Sequence, residues 1–346
     1  MHKGVFAITT YTEREITQPV QLCDSNGNLN KESIGWARNP IITSNLTGHF
    51  LRKKKWNYWC VFGKDAMFSA TISHLDYAAV CFVYTLEYST KKFHEETILI
   101  PFSKKVVMSE NVYDSMEAIH KDLGIFFVWN EDHMTLKVSS IDFGGEALKT
   151  DIKINYPTNL DTLNVVVPWN DNQFQFTAKH HCLPAEGEFS LGSKTFTFNP
   201  ETDFAVLDYG RGVWPRESTW NWGMASGRQS DDVIGLNFGG QWTDRTGSNE
   251  NAVILNGSIT KINEDVEFIY DQADYMKPWK IHTVSEQVRL TFTPFFERKA
   301  YSNVLVVKSD VHQMVGHYSG EIQLPNGKTL VIDGLLGCIE EHMAKW

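Results

Sequence analysis

Several features that would place this chain in a large functional class are missing from its sequence. The five cysteines are odd in number and irregularly spaced, so we expect reduced, mostly buried thiols and no disulfide framework. No two of them have C-x-x-C spacing, which argues against a zinc site built on thiolates. No run of about eighteen apolar residues occurs, so no membrane span is expected. The segment 1–15 has no continuous apolar stretch, so we expect no targeting segment and a cytoplasmic location.

Positive charge is scarce relative to negative charge. The 346 residues include 32 Lys and Arg against 42 Asp and Glu, for a net charge of −10 at pH 7. Nucleic-acid binding depends on many contacts between basic side chains and phosphates, so this balance predicts no nucleic-acid partner. The longest basic run is RKKK at 52–55, which we interpret as a solvated edge strand protected by its lysines.

Nucleotide, metal and serine-hydrolase motifs are also missing. There is no P-loop, no G-x-G-x-x-G between a strand and a helix, and no G-x-S-x-G elbow. His180 and His181 are adjacent, so on a strand they face opposite ways and do not easily bind one ion. We therefore expect no metal ion and no cofactor. The expected partner is a small-molecule ligand, lipophilic or sugar-like, and the oligomeric state stays open.

What the sequence does have is a hydrophobic pattern with a period of two. Runs rich in Val, Ile, Phe, Thr and Tyr alternate with turn signals, which predicts many short strands in an all-β sandwich or barrel. Only two segments, 109–124 and 199–210, suggest helix. The predicted strands cover 66–74, 78–88, 124–130, 133–140, 162–169, 232–240, 251–262, 265–271, 287–299, 303–309, 316–324, 328–334 and 335–343.

A short internal echo suggests two similar β-domains. KKWNYWCVFG at 54–63 resembles STWNWGMASG at 218–227, and about half the chain separates them. We place the boundary within 155–173. The expected division is a first domain over 1–165, whose role is open, and a second over 166–346 that carries the main site.

The stretch DYGRGVWPRESTWNWG at 208–223 concentrates tryptophan beside charges of both signs. Trp220 and Trp222 are two positions apart, so in a strand both side chains face one side. Glycines flank Arg211, which suggests a tight turn that presents the guanidinium for stacking on an aromatic ring. The stretch is either a structural corner with buried tryptophans or the wall of a binding site, and both interpretations stay open.

Two further stretches are dense in polar residues. In GLNFGGQWTDRTGSNEN at 235–251, Gly235, Asn237 and Gly239 share one strand face. Small residues within a strand mark a close approach of a ligand or another backbone, or a glycine-assisted barrel corner. AKHHCLPAEGEF at 178–189 offers histidine and glutamate for acid–base chemistry or as polar plugs of a ligand pocket.

These stretches supply the candidate site residues. Protonating an alkene needs a carboxylic acid with a raised pKa, which burial beside tryptophans supplies by desolvation. We assign Asp208 as this acid, with Glu186 and Glu250 behind it. A cation paired with Asp208 would make it a poor acid, so the assignment requires that no arginine pairs with it at rest. The expected ligand-binding residues are His181, Glu188, Tyr209, Arg211, Trp214, Arg216, Trp220, Trp222, Asn237, Gln241, Trp242 and Asp244.

Longer motifs carry a resemblance to a known family. They are GWARNP at 35–40, HHCLPAEGEF at 180–189, LDYGRGVWPRESTWNWG at 207–223, GLNFGGQWTD at 235–244, EDVEFIYD at 264–271 and MKPWKI at 276–281. Together they closely resemble the domain-of-unknown-function family 2804 (DUF2804) over most of the chain. The chain departs from that family at Arg245, where glycine is common.

A more distant likeness concerns the fold. The layout is similar to the lipocalin-like group of carotenoid hydratases and related olefin hydratases and isomerases. This resemblance implies two lipocalin-like (calycin-type) antiparallel β-barrel or sandwich domains with few short helices. No catalytic residue is carried over, because no motif matches that group residue by residue and a fold does not determine a function.

Three functions are compatible with these observations. The first is a cofactor-free enzyme with hydratase, isomerase or lyase chemistry on a small, largely apolar or unsaturated molecule in a tryptophan-lined barrel cavity. The second is a lipocalin-like carrier without catalysis. The third is a carbohydrate-active enzyme with paired carboxylates and stacking tryptophans. In each case we expect Trp220, Trp222 and Asp208 to border one pocket with Asn237 or Gln241.

Overall fold

The computed structural model describes residues 11–304 and 307–346, and almost all regular structure in this part of the chain is β-strand. The expected all-β class is therefore confirmed. One 3₁₀ turn, Lys31–Ser33, begins after Asn30, whose side chain accepts a hydrogen bond from the Glu32 N–H. Among the described residues, no helix has the length and apolar character needed to cross a membrane.

The first large sheet has fourteen strands and curls into a half-barrel. Along its main path the strand order is β7-β6-β5-β4-β16-β14-β12-β11-β10-β9-β8, with β13, β2 and β15 attached at the side. A parallel pair, β1 Val20–Gln21 and β3 Ile42–Thr43, lies outside it. The strands are β2 Gly35–Ala37, β4 Lys53–Phe62, β5 Ala66–His74, β6 Ala78–Glu87, β7 Phe93–Pro101, β8 Val106–Val107, β9 Met116–His120, β10 Leu123–Asn130, β11 His133–Ser140, β12 Leu148–Asn155, β13 Leu163–Asn170, β14 Gln173–Leu191, β15 Lys194–Phe198 and β16 Phe204–Val213.

The second sheet has nine antiparallel strands and forms the other half-barrel. Their order is β20-β19-β18-β17-β25-β24-β23-β22-β21, so the three 17-residue strands β23, β24 and β25 lie side by side. The strands are β17 Glu217–Gln229, β18 Asp232–Gly240, β19 Ala252–Leu255, β20 Ser258–Lys261, β21 Glu267–Ile269, β22 Trp279–His282, β23 Val288–Val304, β24 Val307–Gln323 and β25 Thr329–Lys345.

A separate apolar cluster joins the two sheets. It brings Tyr58 and Cys60 of β4 against Trp222 of β17 and Cys338 of β25. Each half-barrel also has a core of its own on its concave side. The chain passes from the first sheet to the second between Val213 and Glu217, and the division at 165/166 stays a prediction.

A long strand pairs with several neighbouring strands along its length because it contains a bulge. In β14 the register shifts between His180 and Leu183, where Cys182 has a φ of 57°. The first part of this strand pairs with β13 and β16, and the part after Pro184 pairs with β12 and β15. A bulge turns a strand and increases its twist, so one long strand bridges the two sides of the curled sheet.

Three local predictions are wrong. The segment 109–124 is not helical, because Met116–His120 pairs with Leu123–Asn130 in an antiparallel ladder. The segment 199–210 runs instead into β16, paired on both sides. The lysines at 52–55 do not protect an edge, since β4 is an interior strand and Lys54 is 1% exposed. In each case strand pairing overrides the local sequence preference, with a neighbouring strand at 109–124 and with distant strands in β16 and β4.

Candidate functional site

A buried ammonium group between two carboxylates lies where the half-barrels meet. Lys179 of β14 and Asp208 of β16 are direct partners in the antiparallel ladder, so their side chains share one face of the sheet. Lys179 Nζ lies 2.8 Å from Asp208 Oδ1 and 3.2 Å from Glu250 Oε2. Glu250 follows β18 in the second sheet, so the cluster includes both half-barrels.

This charge cluster is largely removed from solvent. The side chains of Lys179, Asp208 and Glu250 are 5%, 14% and 1% exposed, so Asp208 is its only member with appreciable contact to water. Burial raises the pKa of Glu250, against the opposing effect of Lys179, and the nearby Asp208 charge raises it further. Burial also acts to lower the pKa of Lys179, but Asp208 and Glu250 together raise it above its ordinary value.

Hydrogen bonds hold the two carboxylates in different ways. Trp242 Nε1 donates to Glu250 Oε1 at 3.0 Å, while Oε2 has no well-directed hydrogen bond and only the ion pair with Lys179. Thr177 Oγ1 donates to Asp208 Oδ1 at 3.3 Å. Within the described residues no hydrogen bond is made to Asp208 Oδ2.

A polar relay of neutral groups continues from Glu250 into the second sheet. Asn237 Nδ2 donates to the Glu250 backbone carbonyl at 2.6 Å, and Asn237 Oδ1 accepts from Trp222 Nε1 at 2.9 Å. His181 Nε2 lies 3.1 Å from the same Oδ1. Burial lowers the pKa of His181 to about 4, so this imidazole is neutral near pH 7. Lys179 Nζ lies 4.3 Å from the Trp222 ring centroid, a cation–π contact.

Tryptophans cover the cluster on one side. Trp214 lies at their centre, 5.2 Å from Trp242 and 5.5 Å from Trp220 between ring centroids. Trp169 contacts both Trp214 and Trp242. Trp214 and Trp242 are buried and Trp220 is half-buried, so these rings pack on one another and do not form an exposed stacking platform.

The small face at 235–239 makes room for side chains of the site. A Cβ on Gly239 would lie 2.2 Å from Glu250 Oε1, and one on Gly235 would lie 2.8 Å from Cys182 Sγ and His181 Cβ. Gly210 of β16 gives room to the Trp56 ring in the same way. The close approach expected at these glycines is thus made by protein side chains.

Most of the predicted residues belong to one contact network. Direct contacts link Asp208, Glu250, His181, Asn237, Trp222 and Trp242 through Lys179 or the Glu250 backbone. Trp214 and Trp220 join it through Trp242. The network includes residues of both sheets, so the 208–223 stretch contributes to their junction.

Two predicted residues point to the opposite side of β16. Tyr209 and Arg211 face the core of the first half-barrel, where the guanidinium lies 3.9 Å from the Tyr209 ring centroid. Arg211 is fully buried and donates to the carbonyls of Ser109, Trp56 and Gly210. Arg211 therefore holds backbone together, and the cation that pairs with Asp208 is Lys179.

The other predicted residues lie apart from the network. Glu186 is on the surface and forms an exposed ion pair with Lys153 at 3.1 Å, and Glu188 is exposed on the same strand. Arg216 and Asp244 are exposed as well. Gln241 donates to Asn221 Oδ1, whose side chain faces away from Trp220 and Trp222.

Two buried residues of the region were missed by sequence reasoning. Lys179 alternates with Thr177 and Gln175 on one strand face, a polar row inside an apolar segment that could have identified it. Glu340 lies on β25 and accepts from Trp220 Nε1 at 3.1 Å and Gln313 Nε2 at 3.0 Å. Burial raises the pKa of Glu340.

Two clefts occur in the described structure, and none of the predicted site residues lines either one. A cleft of about 290 Å³ opens between the sheets and includes Phe62, Ser226 and Leu335. Ser226 Oγ lies 3.3 Å from His181 Nδ1, so a residue that lines this cleft contacts the polar relay. The other, of about 220 Å³, is bordered by His94 and Lys194 on the first sheet.

Comparison with known proteins agrees with the resemblance seen in the motifs. The profile of the family described as "Domain of unknown function (DUF2804)" matches residues 13–346. No curated protein matches the sequence.

Two solved structures are similar to this chain to different degrees. A candidate AttH from Nitrosomonas europaea has a TM-score of 0.51 at 11% identity, covering 86% of this chain and 94% of that one. Kievitone hydratase from Nectria haematococca has a TM-score of 0.46 at 9% identity, covering 85% of this chain and 88% of that one. At such identity the likeness is one of fold, and the two curled half-barrels are the lipocalin-like arrangement expected from the sequence.

Proposed function

The chain belongs to the DUF2804 family, whose name assigns no activity, and from the geometry of its buried charge cluster we propose a cofactor-free acid–base enzyme. The reaction class is hydration, isomerisation or the reverse elimination on a small, largely apolar or unsaturated molecule. One observation carries the proposal: Lys179 contacts Asp208 and Glu250 at once, in an environment that raises the pKa of Glu250.

The charges of the cluster favour one shared proton. With one carboxyl protonated, the ammonium of Lys179 balances the single remaining carboxylate, so the buried group is neutral overall. Two ionised carboxylates would leave a net negative charge in a low-dielectric site, which is costly. The proton of that carboxyl is assigned to Glu250, whose pKa burial raises.

Lys179 provides a path for that proton. Lys179 donates one hydrogen to the ionised carboxylate, Asp208 or Glu250, and accepts one from the other carboxyl, which is protonated. The proton thereby moves from one carboxyl group to the other, and Lys179 is again an ammonium. Asp208 is the member with an exposed edge and a free Oδ2, so it is the group that reaches the substrate. Glu250 then acts as the buried proton store. No arginine pairs with Asp208, as the assignment requires, but Lys179 does, and the relay through Lys179 makes use of that pairing.

Hydration of an alkene shows how the cluster would carry out such a reaction. Asp208, protonated through Lys179, transfers its proton to one carbon, and water adds to the other carbon. The proton lost by that water returns to the carboxylate, so the enzyme is unchanged and one water is consumed. Isomerisation uses the same proton transfer with loss of a different hydrogen. Aromatic rings beside the cluster stabilise positive charge that develops on the substrate.

The burial of the tryptophans helps to distinguish a lipophilic ligand from a carbohydrate. Sugar recognition uses exposed aromatic faces, whereas Trp214, Trp222 and Trp242 are buried against one another and against polar partners. This favours a lipophilic ligand over a carbohydrate. A carrier without catalysis would need no buried proton store, and this distinction is what the experiment tests.

The test is an incubation of the purified protein in heavy water with a solvent extract of lipophiles from its host. We expect a subset of molecules to gain one heavy-water molecule or to exchange one hydrogen for deuterium, as measured by mass spectrometry. Asp208→Asn and Glu250→Gln should each slow this by about a hundredfold or more, since general acid–base catalysis contributes that much. Glu186→Gln, which changes an exposed carboxylate, is the control and should keep the wild-type rate.

The pH dependence gives a second readout. Because burial raises the pKa of Glu250, the stored proton is retained above the ordinary glutamate range and lost as the pH rises through the raised value. The rate should therefore fall with increasing pH on that limb. Ligand bound without any isotope uptake would identify a carrier, and turnover that survives both carboxylate variants would refute the proposal.

A further inference from the structure

One end of the first half-barrel carries exposed aromatic side chains between basic ones. Phe50 is 83% exposed and Phe102 is 80% exposed, which makes them outliers among the large apolar residues of the described chain. Leu51 beside Phe50 is 43% exposed. Apolar rings at loop tips with this exposure lose free energy in water unless another apolar phase covers them.

The strand pairing places both loops at the same end of the sheet. Phe50 precedes β4, whose Lys55 pairs with His74 at the end of β5. The β5–β6 turn follows, and Ala78 at the start of β6 pairs with Pro101 at the end of β7, next to Phe102. Four neighbouring strands span roughly 14 Å at the ordinary strand spacing, so the two rings lie within one face.

Contacts within this end hold the loops in position. Lys54 Nζ donates to the Leu75 carbonyl at 3.1 Å and lies 4.9 Å from the Tyr77 ring centroid. The Phe102 N–H donates to the Tyr77 carbonyl at 3.0 Å. The Arg52 N–H closes the first loop on the His49 carbonyl at 2.9 Å. The aromatic tips are therefore presented by an interlocked set of loops.

Basic side chains surround the rings, in a chain with a net charge of −10. Lys104 and Lys105 follow Phe102 after one buried residue, Ser103, and both are exposed. Arg52 is partly exposed near Phe50. The carboxylates at this end are already paired, Asp76 with Lys53 at 3.1 Å and Glu110 with Lys55. A local positive surface on an acidic protein selects a partner that is both anionic and apolar.

We propose that this end of the first half-barrel, formed by residues 49–53 and 102–105, binds the surface of membranes that contain anionic lipids. The phenylalanine rings insert at the boundary between headgroups and acyl chains, and the lysines contact the headgroups. RNA offers phosphates as well, but the exposed Leu51 side chain has no ring on which a base could stack, whereas it fits the boundary of the acyl chains. The surface is independent of the buried charge cluster.

The test is co-sedimentation of the full chain with phosphatidylcholine vesicles, with or without phosphatidylserine. We expect binding to the phosphatidylserine vesicles that weakens as salt is added. Phe50→Ser combined with Phe102→Ser should weaken binding by about tenfold or more, since each buried ring contributes over 1 kcal/mol. Lys104→Gln combined with Lys105→Gln should weaken it by about thirtyfold, at roughly 1 kcal/mol for each basic residue.

Matched controls lie at the other end of the same sheet. Ile141 is 73% exposed, and its loop leads to Gly144 and Glu146, which approach His94 and Lys92 at the start of β7. Ile141→Ser and the exposed Lys149→Gln should bind like the wild type. All these side chains are exposed, so circular dichroism should show folded variants. Absence of binding to phosphatidylserine vesicles, or equal loss in the controls, would overturn the proposal. So would binding to a single-stranded RNA probe in place of vesicles.

Discussion

Lys179 is the residue on which the charge balance of the interior depends. It is 5% exposed and is in direct contact with both carboxylates of the cluster. A buried charge without a partner costs several kcal/mol, so removal of the cation leaves Asp208 and Glu250 to repel each other in a low-dielectric site. Lys261 and Glu13 form another buried ion pair elsewhere in the chain.

We expect Lys179→Met to lower the free energy of unfolding by about 3 to 5 kcal/mol at pH 7, the usual cost of breaking a buried ion pair. Urea denaturation followed by tryptophan fluorescence measures it. Lys153→Met is the control, because the Lys153–Glu186 pair is about two-fifths exposed and should contribute no more than about 1 kcal/mol. Equal losses in the two variants would show that the buried cluster is unimportant for stability.

At the level of a single strand, β18 shows how glycine positions a charged group. Gly239 and Gly240 are adjacent and therefore face opposite sides of the sheet. The Glu250 side chain lies against Gly239, whereas the Phe268 ring lies against Gly240. The position of the proposed proton store thus depends on the absence of a Cβ at residue 239.

Gly239→Ala should destabilise the protein by about 1 to 3 kcal/mol, as overpacking does. It should also displace Glu250, since the new Cβ would lie 2.2 Å from Oε1. Gly240→Ala is the matched control on the same strand, where the nearest atoms are 3.2 Å away on the Phe268 ring. Thermal unfolding of the two variants compares them, and a milder effect at 239 than at 240 would contradict this account.

At the scale of the whole molecule, polar side chains join the two half-barrels through their shared interface. Arg298 of β23 binds Glu95 of β7 through two hydrogen bonds, of 2.6 and 3.1 Å. Tyr84 of the first sheet donates to Gln313 of the second at 2.7 Å, and Gln313 donates to Glu340. These contacts lead from one sheet to the other beside the proposed site.

We expect Glu95→Gln to lower the free energy of unfolding by about 3 kcal/mol, because it leaves the buried Arg298 guanidinium without its counter-charge. Far-ultraviolet circular dichroism and tryptophan fluorescence should follow the same transition in urea. Glu321→Gln is the control, since its pair with Arg289 is about half exposed and should contribute no more than about 1 kcal/mol. A loss of stability in Glu321→Gln but not in Glu95→Gln would show that the Arg298–Glu95 contact does not stabilise the junction of the half-barrels.

The sequence by itself determined the fold class and the neighbourhood of the site. Alternation with a period of two is a local property, so the all-β class and most strand positions could be predicted without any long-range information. The tryptophan-rich stretch at 208–223 and the small face at 235–239 were also local signals. They indicated the region in which the buried cluster lies, together with Asp208 and Glu250 themselves.

Only the tertiary structure decided which of these residues meet. Alternation with a period of two shows that Asp208 and Arg211 lie on opposite faces of a strand. It does not show which of the two faces meets the other half-barrel. Lys179 gains its role because β14 pairs with β16 in one register and Glu250 approaches from the second sheet, 71 positions along the chain. The helix expected at 109–124 failed for a more local reason, since Met116–His120 forms a hairpin with Leu123–Asn130, the strand that follows it.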